Sequence, residues 1–212
     1  YEFPGKRQYP VDARFQQEEP IPENQFAGRM PEAVADKVID ILLAMQTGKD
    51  PELITLTVED KPTVARGDIL AFLHGEKPIE RAVQLIRERV DEEPALAGKV
   101  DVLPLYTKLP QSKQDLALKP KKDKRRWRVV VSTNVAETSL TVEGIVHVVE
   151  TGLINESNWD PATQTSYVTP TLHSQAGCQQ RWGRAGRVQR RGARLRCAGR
   201  GRRLHRRSRR PQ

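Results

Sequence analysis

The sequence predicts an α/β fold in which a mostly parallel β-sheet is flanked by helices. Two features indicate this fold: short, continuously apolar segments of strand length, and amphipathic helical segments that alternate with them along the chain. Strands of a parallel sheet are apolar throughout because helices cover both faces of the sheet. Functional side chains of such a fold are expected in the loops that follow the carboxyl ends of the strands.

The predicted elements follow one another in this alternating order. Residues 9–15 form a candidate edge strand, and residues 31–46 form the first helix, with apolar residues on one face. Pro31 suits the first turn of this helix and Gly48 suits its end. The further predicted strands are residues 68–73, 99–106, 128–132 and 144–149, and the further predicted helices are residues 76–90 and 111–118.

Composition excludes several classes of protein. Hydrophobic residues make up 37% of the 212 residues and charged residues 30%, which is typical of globular proteins. The sequence contains no run of about 18 apolar residues and no secretory signal pattern, so neither a membrane partner nor secretion is predicted. Its two cysteines, Cys178 and Cys197, exclude a disulfide scaffold and suit a reducing compartment, so we expect a cytoplasmic protein, or a nuclear one in a eukaryote. The cysteines and histidines lack the spacing of zinc ligands, and no metal site is predicted.

The net charge of +9 is concentrated at one end of the chain. Residues 188–212 contain 11 Arg, no Lys and no acidic residue, so the preceding residues carry a net charge of −2. A basic protein often binds nucleic acid. Here the basicity is a property of the terminal segment and indicates nothing about the main body.

A polar segment, residues 132–141, follows the third buried strand. Seven of its ten residues are polar, and six carry a hydroxyl or an amide. One interpretation is a capping and turn region, for which Ser, Thr and Asn are common. The other is a row of short hydrogen-bond donors that fits phosphate and ribose oxygens without base specificity. Composition alone does not decide between the two.

A second segment, residues 179–187, combines glutamine, arginine and glycine. On a helix, Gln180, Arg184 and Arg187 lie on one face, whereas Arg181 points elsewhere. Two guanidinium groups beside an amide match a phosphoryl-transfer transition state, in which arginines neutralise charge and an amide orients water. The alternative, an Arg-rich helix that binds phosphates or solvent, is slightly favoured by the spacing alone.

Both segments resemble motifs of DEAH-box RNA helicases. Residues 132–141 resemble motif V and residues 180–187 resemble motif VI, in the family's order and about 40 residues apart. Residues 67–76 resemble the motif IV strand and loop, residues 103–110 resemble motif IVa, and residues 148–152 resemble the strand end after motif V.

The resemblance implies a domain organisation. Residues 1–188 would form the second RecA-like domain, also called the helicase C-terminal domain, with the mostly parallel sheet predicted above. Residues 151–172 would hold the β-hairpin that the family uses to separate strands. Residues 189–212 would form an Arg-rich tail that is disordered or aberrant.

The resemblance also implies the residues that act on ATP. Gln180 would position the attacking water, and Arg184 and Arg187 would be the arginine fingers. ATP binds between two RecA-like domains in this family. The sequence contains no Gly-x-x-x-x-Gly-Lys-Ser/Thr loop and no acidic box after an apolar strand. We therefore expect that the first RecA-like domain is absent, that Mg²⁺ is held mainly by that domain, and that this half alone does not hydrolyse ATP.

Further nucleotide contacts are implied beside these catalytic residues. Thr141 and Glu143 would face the ribose of ATP, and Ser139 would lie between the two ligands and could couple them. Glu143 replaces an Asp that is common in the family. Leu118 replaces a Phe that stacks on the adenine, which would weaken stacking by about 1 kcal/mol.

RNA, mainly single-stranded, is the implied partner together with the first RecA-like domain. Thr133 and Asn134 would hold RNA phosphates, with Gly75 and Thr107 on the same strand of RNA. Contacts centred on phosphates predict sequence-tolerant, salt-sensitive binding.

Residues 190–212 lose both acidic residues and strand patterning directly after motif VI. We hypothesise a frame-shifted or aberrant terminus, and the rival interpretation is a genuine Arg-rich tail that binds RNA and is disordered by itself. The rival gives an alternative function, a non-catalytic RNA-binding protein that acts through this tail. A related helicase that acts on DNA is a third possibility.

Overall fold

The computed structural model describes residues 11–15, 23–48, 56–58, 61–63, 65–121, 123–137, 140, 142–185 and 192–196. Within these ranges the strands are β1 (Val11–Phe15), β2 (Leu56–Val58), β3 (Lys61–Thr63), β4 (Asp68–Phe72), β5 (Val100–Leu105), β6 (Trp127–Ser132), β7 (Ile145–Glu150), β8 (Leu153–Asp160), β9 (Thr165–Leu172) and β10 (Gly192–Arg196). The α-helices are α1 (Glu23–Thr47), α2 (Glu76–Glu92), α3 (Gln111–Leu118) and α4 (Gln175–Trp182).

A six-stranded sheet with the order β1-β10-β7-β4-β6-β5 organises the fold. All of its neighbouring strands are parallel. Strands β8 and β9 form an antiparallel hairpin beside this sheet, and β2 and β3 form a second small antiparallel pair. The predicted α/β class, the parallel sheet and the hairpin within residues 151–172 are confirmed.

The central strands are largely apolar because each one packs against two separate cores. Along β4, Ile69 and Ala71 belong to the core that α1 and α2 cover, whereas Leu70 and Phe72 belong to a second core on the opposite face. Successive side chains of a strand point to opposite faces, so a strand between two helical layers needs apolar residues on both of its faces. All residues of β4 and β7 are buried.

The first helix begins eight residues before the predicted start. It runs from Glu23 to Thr47 and contains Pro31 in its interior. Met30 is only 1% exposed, and Phe26 and Ala27 pack against the same core, so burial stabilises the added turns despite the missing proline N–H. The other predicted helices are confirmed at Glu76–Glu92 and Gln111–Leu118.

The structure differs from the expectation at the start of the Arg-rich tail. Residues 192–196 form β10, which pairs in parallel with β7 on one side and β1 on the other. Parallel pairing is made by backbone groups and requires no apolar pattern, so the arginines do not prevent it. Residues 197–212 lie outside the described residues, and the disordered or aberrant state of the tail stays a prediction. No helix in the described ranges is both long enough and apolar enough to cross a membrane.

Candidate functional site

A groove with a volume of about 340 Å³ opens at the carboxyl edge of the sheet. The four residues predicted to contact RNA, Gly75, Thr107, Thr133 and Asn134, all line it. They follow three different strands, β4, β5 and β6. The other lining residues are Leu73, His74, Glu76, Tyr106, Lys108, Ile154, Asn155 and Arg181. The structure thus brings the four predicted residues together, and their role in RNA binding stays a prediction.

Hydrogen bonds hold the ends of β4, β5 and β6 side by side below this groove. The Ser132 hydroxyl donates to the carbonyl of Leu105 at 2.9 Å, and the Leu73 N–H donates to the carbonyl of Ser132 at 2.9 Å. The Thr133 N–H donates to the same Leu105 carbonyl at 3.3 Å. These bonds fix the starting points of three loops, so the groove is shaped before any ligand arrives.

The polar segment after β6 contains both a capping residue and a side chain that is open to a ligand. The Thr133 hydroxyl oxygen accepts a hydrogen bond of 3.4 Å from the Val135 N–H and caps a short 3₁₀ turn, Asn134–Ala136. Asn134 is exposed, and its side-chain amide makes no hydrogen bond to another described residue. One residue therefore caps the turn while its neighbour presents a donor and an acceptor to the groove.

Two titratable groups in the groove are uncharged at neutral pH. Burial lowers the pKa of His74 from 6.5, so its ring is neutral there. Burial, together with a 2.8 Å hydrogen bond to Glu80, raises the pKa of Tyr106 to about 12. Neither side chain therefore contributes charge to the groove at pH 7.

The floor of the groove is the buried guanidinium of Arg181, which is 0% exposed. Its Nε donates to a Glu137 carboxylate oxygen at 2.9 Å, and one Nη donates to a Glu150 carboxylate oxygen at 2.9 Å. The same Nη donates to the carbonyl of Leu153 at 3.2 Å, and the guanidinium carbon lies 4.8 Å from the centroid of the Phe72 ring. Arg181 thus connects α4 to the ends of β4 and β7, to the loop after β6 and to the hairpin.

Excess acid surrounds this guanidinium. Burial raises the pKa of Glu150, although the nearby Arg181 acts in the opposite direction. One Glu150 carboxylate oxygen also accepts the Gly152 N–H at 2.7 Å, whereas its other oxygen has no hydrogen-bond partner among the described residues. His173, at the end of the hairpin, lies 3.1 Å from the Glu137 carboxylate.

The predicted catalytic residues lie in different environments. Gln180 is exposed on α4, whereas Arg184 is only 5% exposed. Arg184 donates to the Glu137 backbone carbonyl from Nε at 3.1 Å and also from Nη2. Helix α4 ends at Trp182, so Arg184 lies in the turn that follows the helix, where its N–H donates to the carbonyl of Arg181 at 3.1 Å. Arg187 lies outside the described residues.

The two predicted nucleotide contacts that the structure describes, Glu143 and Leu118, lie near the amino end of β6 and do not line the groove. Glu143 is exposed and Leu118 is half-buried against the second core. The buried Arg128 donates to the carbonyl of Glu143 at 2.6 Å, and to the carbonyls of the two residues that flank Leu118 at 3.1 and 2.7 Å. Arg128 thereby holds the two loops together. Ser139 and Thr141 lie outside the described residues.

Sequence reasoning missed the buried ion network because its members are far apart in the chain. Glu137 and Glu150 are 44 and 31 residues away from Arg181. One signal was available: the buried residues of α4 are Gly177, Cys178, Arg181 and Trp182, a helical stripe of small and apolar residues that places Arg181 on the inward face. No group of His, Cys, Asp or Glu in the described part of the chain could hold a metal ion.

Comparison with known proteins gives this domain its family. Residues 52–189 match the family described as the helicase conserved C-terminal domain. Two crystal structures of Escherichia coli HrpB, one titled a DExH-box NTPase and one a DEAH/RHA helicase, are 29% identical to the chain with TM-scores of 0.68 and 0.69. Each similarity covers 92% of this chain and 20% of the HrpB chain, so the chain spans about a fifth of the length of HrpB. The chain belongs to the family of helicase conserved C-terminal domains and has its RecA-like fold.

Proposed function

We propose that this chain is the C-terminal RecA-like half of an ATP-dependent RNA helicase, in which ATP hydrolysis drives movement on single-stranded RNA. One observation carries the proposal: Gly75, Thr107, Thr133 and Asn134 come from three separate loops and line a single groove. Similarity to HrpB, titled a DEAH/RHA helicase in one structure, supports the same conclusion.

The groove would hold the backbone of an RNA strand. Thr107 and Asn134 are exposed, and their side chains make no hydrogen bond within the described part of the chain, so each offers a donor to a ligand. Gly75 is buried and has no side chain, so the loop after β4 approaches the groove closely at this point. Short polar side chains suit phosphate and ribose oxygens, which are the same at every nucleotide, so binding would be tolerant of sequence.

ATP with Mg²⁺ would lie between this domain and a first RecA-like domain, which would hold most of the metal ligands. Hydrolysis of ATP would supply the energy for the movement of the two domains relative to each other.

The exposed amide of Gln180 can orient a water molecule. Arg184 donates to the Glu137 carbonyl here, so domain closure would exchange these bonds for bonds to phosphate. Arg187, Ser139, Thr141, Glu143 and Leu118 would complete the nucleotide contacts. Because the phosphate-binding loop is missing, the chain alone should show no ATPase activity.

Binding of a fluorescein-labelled oligouridine, followed by anisotropy, tests the strand contacts. The full chain is used with the seven arginines at positions 200–210 replaced by Gln, so that the tail does not mask the groove. Asn134→Ala should weaken binding several-fold, because a hydrogen bond to the strand is lost. Gln84→Ala is the matched control: this exposed amide on α2 donates to a Glu88 carboxylate oxygen at 2.8 Å and does not line the groove, so binding should be unchanged.

The alternative function, RNA binding through the tail alone, predicts the opposite pattern. Its basis is the 11 arginines of residues 188–212. Replacing the seven arginines at positions 200–210 would then weaken binding severely, and Asn134→Ala in the unmodified chain would have no effect. That pair of results would contradict the proposed groove.

A further inference from the structure

The β8–β9 hairpin supplies one wall of the groove. Ile154 and Asn155, near the start of β8, line it opposite the loops of the sheet. A Cβ atom added to Gly75 would lie 2.9 Å from Nδ2 of Asn155. The Asn155 amide therefore lies directly over the bare backbone of a predicted RNA-contact residue.

The position of Asn155 is fixed from below. Leu153, two residues earlier, is 4% exposed, its N–H donates to the Thr151 hydroxyl at 3.4 Å, and its carbonyl accepts from Arg181 at 3.2 Å. The Asn155 side chain itself is exposed, and its amide makes no hydrogen bond within the described ranges. The backbone at Asn155 is thus held in the hairpin, where it pairs with Pro170, while the side-chain amide is left available to a ligand.

The cations that line the groove are balanced by acids. Lys108 Nζ lies 4.0 Å from a Glu76 carboxylate oxygen. Arg181 contacts two carboxylates, Glu137 and Glu150, so the groove floor has no surplus positive charge. Strand binding that neutralises phosphates with lysine or arginine releases counterions and depends steeply on salt. The described groove offers no such unbalanced cation.

We infer that Asn155 is a further strand-contacting residue, and that the groove binds the phosphate and sugar oxygens of the strand through uncharged donors rather than through cations. This inference rests on the proposed function of the groove. It alters the expectation of salt-sensitive binding, because salt dependence would then come from the rest of the protein and not from the groove.

Oligouridine anisotropy at a series of salt concentrations tests the inference, again with the tail arginines replaced by Gln in the full chain. Asn155→Ala should weaken binding roughly threefold to tenfold, the value of one hydrogen bond, with an unchanged slope of log K against log salt. Asn155→Lys should steepen that slope by about 0.7, because it adds one cation to the strand site. Gln84→Ala again serves as the control and should leave both affinity and slope unchanged.

A second variant, Gly75→Ala, tests whether a loss of binding comes from the lost Asn155 contact or from disturbed folding. Gly75→Ala places a methyl group against the Asn155 amide, and the extended backbone of Gly75 accepts alanine without strain. Gly75→Ala should weaken binding in the wild-type background and have little further effect in Asn155→Ala, because both changes remove the same contact.

The outcomes show whether the Asn155 contact alone fails or whether strand binding in the groove fails as well. If Asn134→Ala weakens binding but Asn155→Ala does not, the inference is overturned and the proposed groove stands. A slope that becomes shallower by about 0.7 in Asn155→Ala would contradict the uncharged contact. If neither variant changes binding, the proposed function of the groove fails with the inference.

Discussion

Two arginines lie buried at opposite edges of the same sheet, and their surroundings differ in kind. Arg128, 2% exposed near the amino end of β6, donates to one carboxylate, that of Asp68, and to three backbone carbonyls. Arg181, 0% exposed beside the carboxyl ends, donates to two carboxylates and one carbonyl and lies against the Phe72 ring.

The ratio of cations to acids differs between the Arg128 cluster, which joins structural loops, and the Arg181 cluster, which lies below the groove. At the amino edge, Lys121 also donates to Asp68, at 2.6 Å, so two cations share one acid and carbonyls complete the set. At the carboxyl edge, Glu137 and Glu150 share the single Arg181 guanidinium. Because its guanidinium is paired with two carboxylates, Arg181 offers no unpaired charge to a phosphate, which supports binding through uncharged donors.

Arg181→Met should give the largest loss of stability. It leaves two carboxylates without their buried cation, which costs about 3–5 kcal/mol of unfolding free energy. Urea denaturation followed by circular dichroism measures this change. Arg125→Met is the control, because the Arg125 side chain is 93% exposed and its ion pair should contribute almost nothing. A loss below about 1 kcal/mol for Arg181→Met would show that the network does not hold the fold.

Asp68→Asn should destabilise less, by about 2–4 kcal/mol. The amide keeps one acceptor oxygen, and Arg128 keeps its three backbone carbonyls, but two cations lose their carboxylate. The matched control is Asp123→Asn, which removes an exposed ion pair to Arg125. Equal effects of the two substitutions in urea denaturation would contradict the structural role of the amino-edge cluster.

His147, in β7, should make the stability of the fold depend on pH. Burial lowers its pKa from 6.5 to about 4, and its Nε2 lies 2.6 Å from the Ala65 carbonyl. Below pH 6.5 the His147 ring takes up a proton in the unfolded chain but stays neutral in the folded chain until the pH nears 4. The contribution of His147 to the free energy of unfolding is therefore present above pH 6.5 and is lost as the pH falls towards 4. From pH 7 to pH 5 the loss should be about 2 kcal/mol in the wild type. His147→Gln should lack this loss, and parallel pH profiles of the two proteins would contradict the assignment.

Glu150, on the same strand as His147, should give the smallest change in stability. Its contribution should fall as the pH rises, which is opposite to the dependence expected for His147. Burial raises its pKa above 4.5, so its contribution to stability is present below that pH and declines as the pH rises through the raised pKa. Glu150→Gln keeps an acceptor oxygen for Arg181 but cannot ionise. Wild-type stability relative to Glu150→Gln should therefore fall with rising pH in urea denaturation, and a relative rise would contradict the burial effect.

The central sheet could be predicted from the sequence because it follows local rules, whereas the residues that line the groove were named by the resemblance to helicase motifs. Continuous apolar runs marked β4 and β6, and the rule for carboxyl ends drew attention to the loops in which Gly75, Thr107 and Thr133 lie. Each of these predictions depended on residues adjacent in the chain.

The remaining features depend on contacts that no local pattern encodes. The carboxylates of Arg181 come from other loops, and the end of α4 before Arg184 is set at Gly183, which adopts a helical C-cap conformation. Strand β10 forms within an Arg-rich segment because its backbone pairs with β7 on one side and with β1 on the other. Asn155 reaches the groove only because the hairpin folds back over Gly75.

Photo-crosslinking of the unmodified chain to an oligouridine that carries thiouridine, with peptides mapped by mass spectrometry, tests the central claim most directly. The proposed groove predicts crosslinks on both of its walls, within residues 74–76, 106–108 and 133–134 of the loops and at residues 154–155 of the hairpin. Crosslinks confined to the arginines of residues 198–212, with none in the groove, would contradict it.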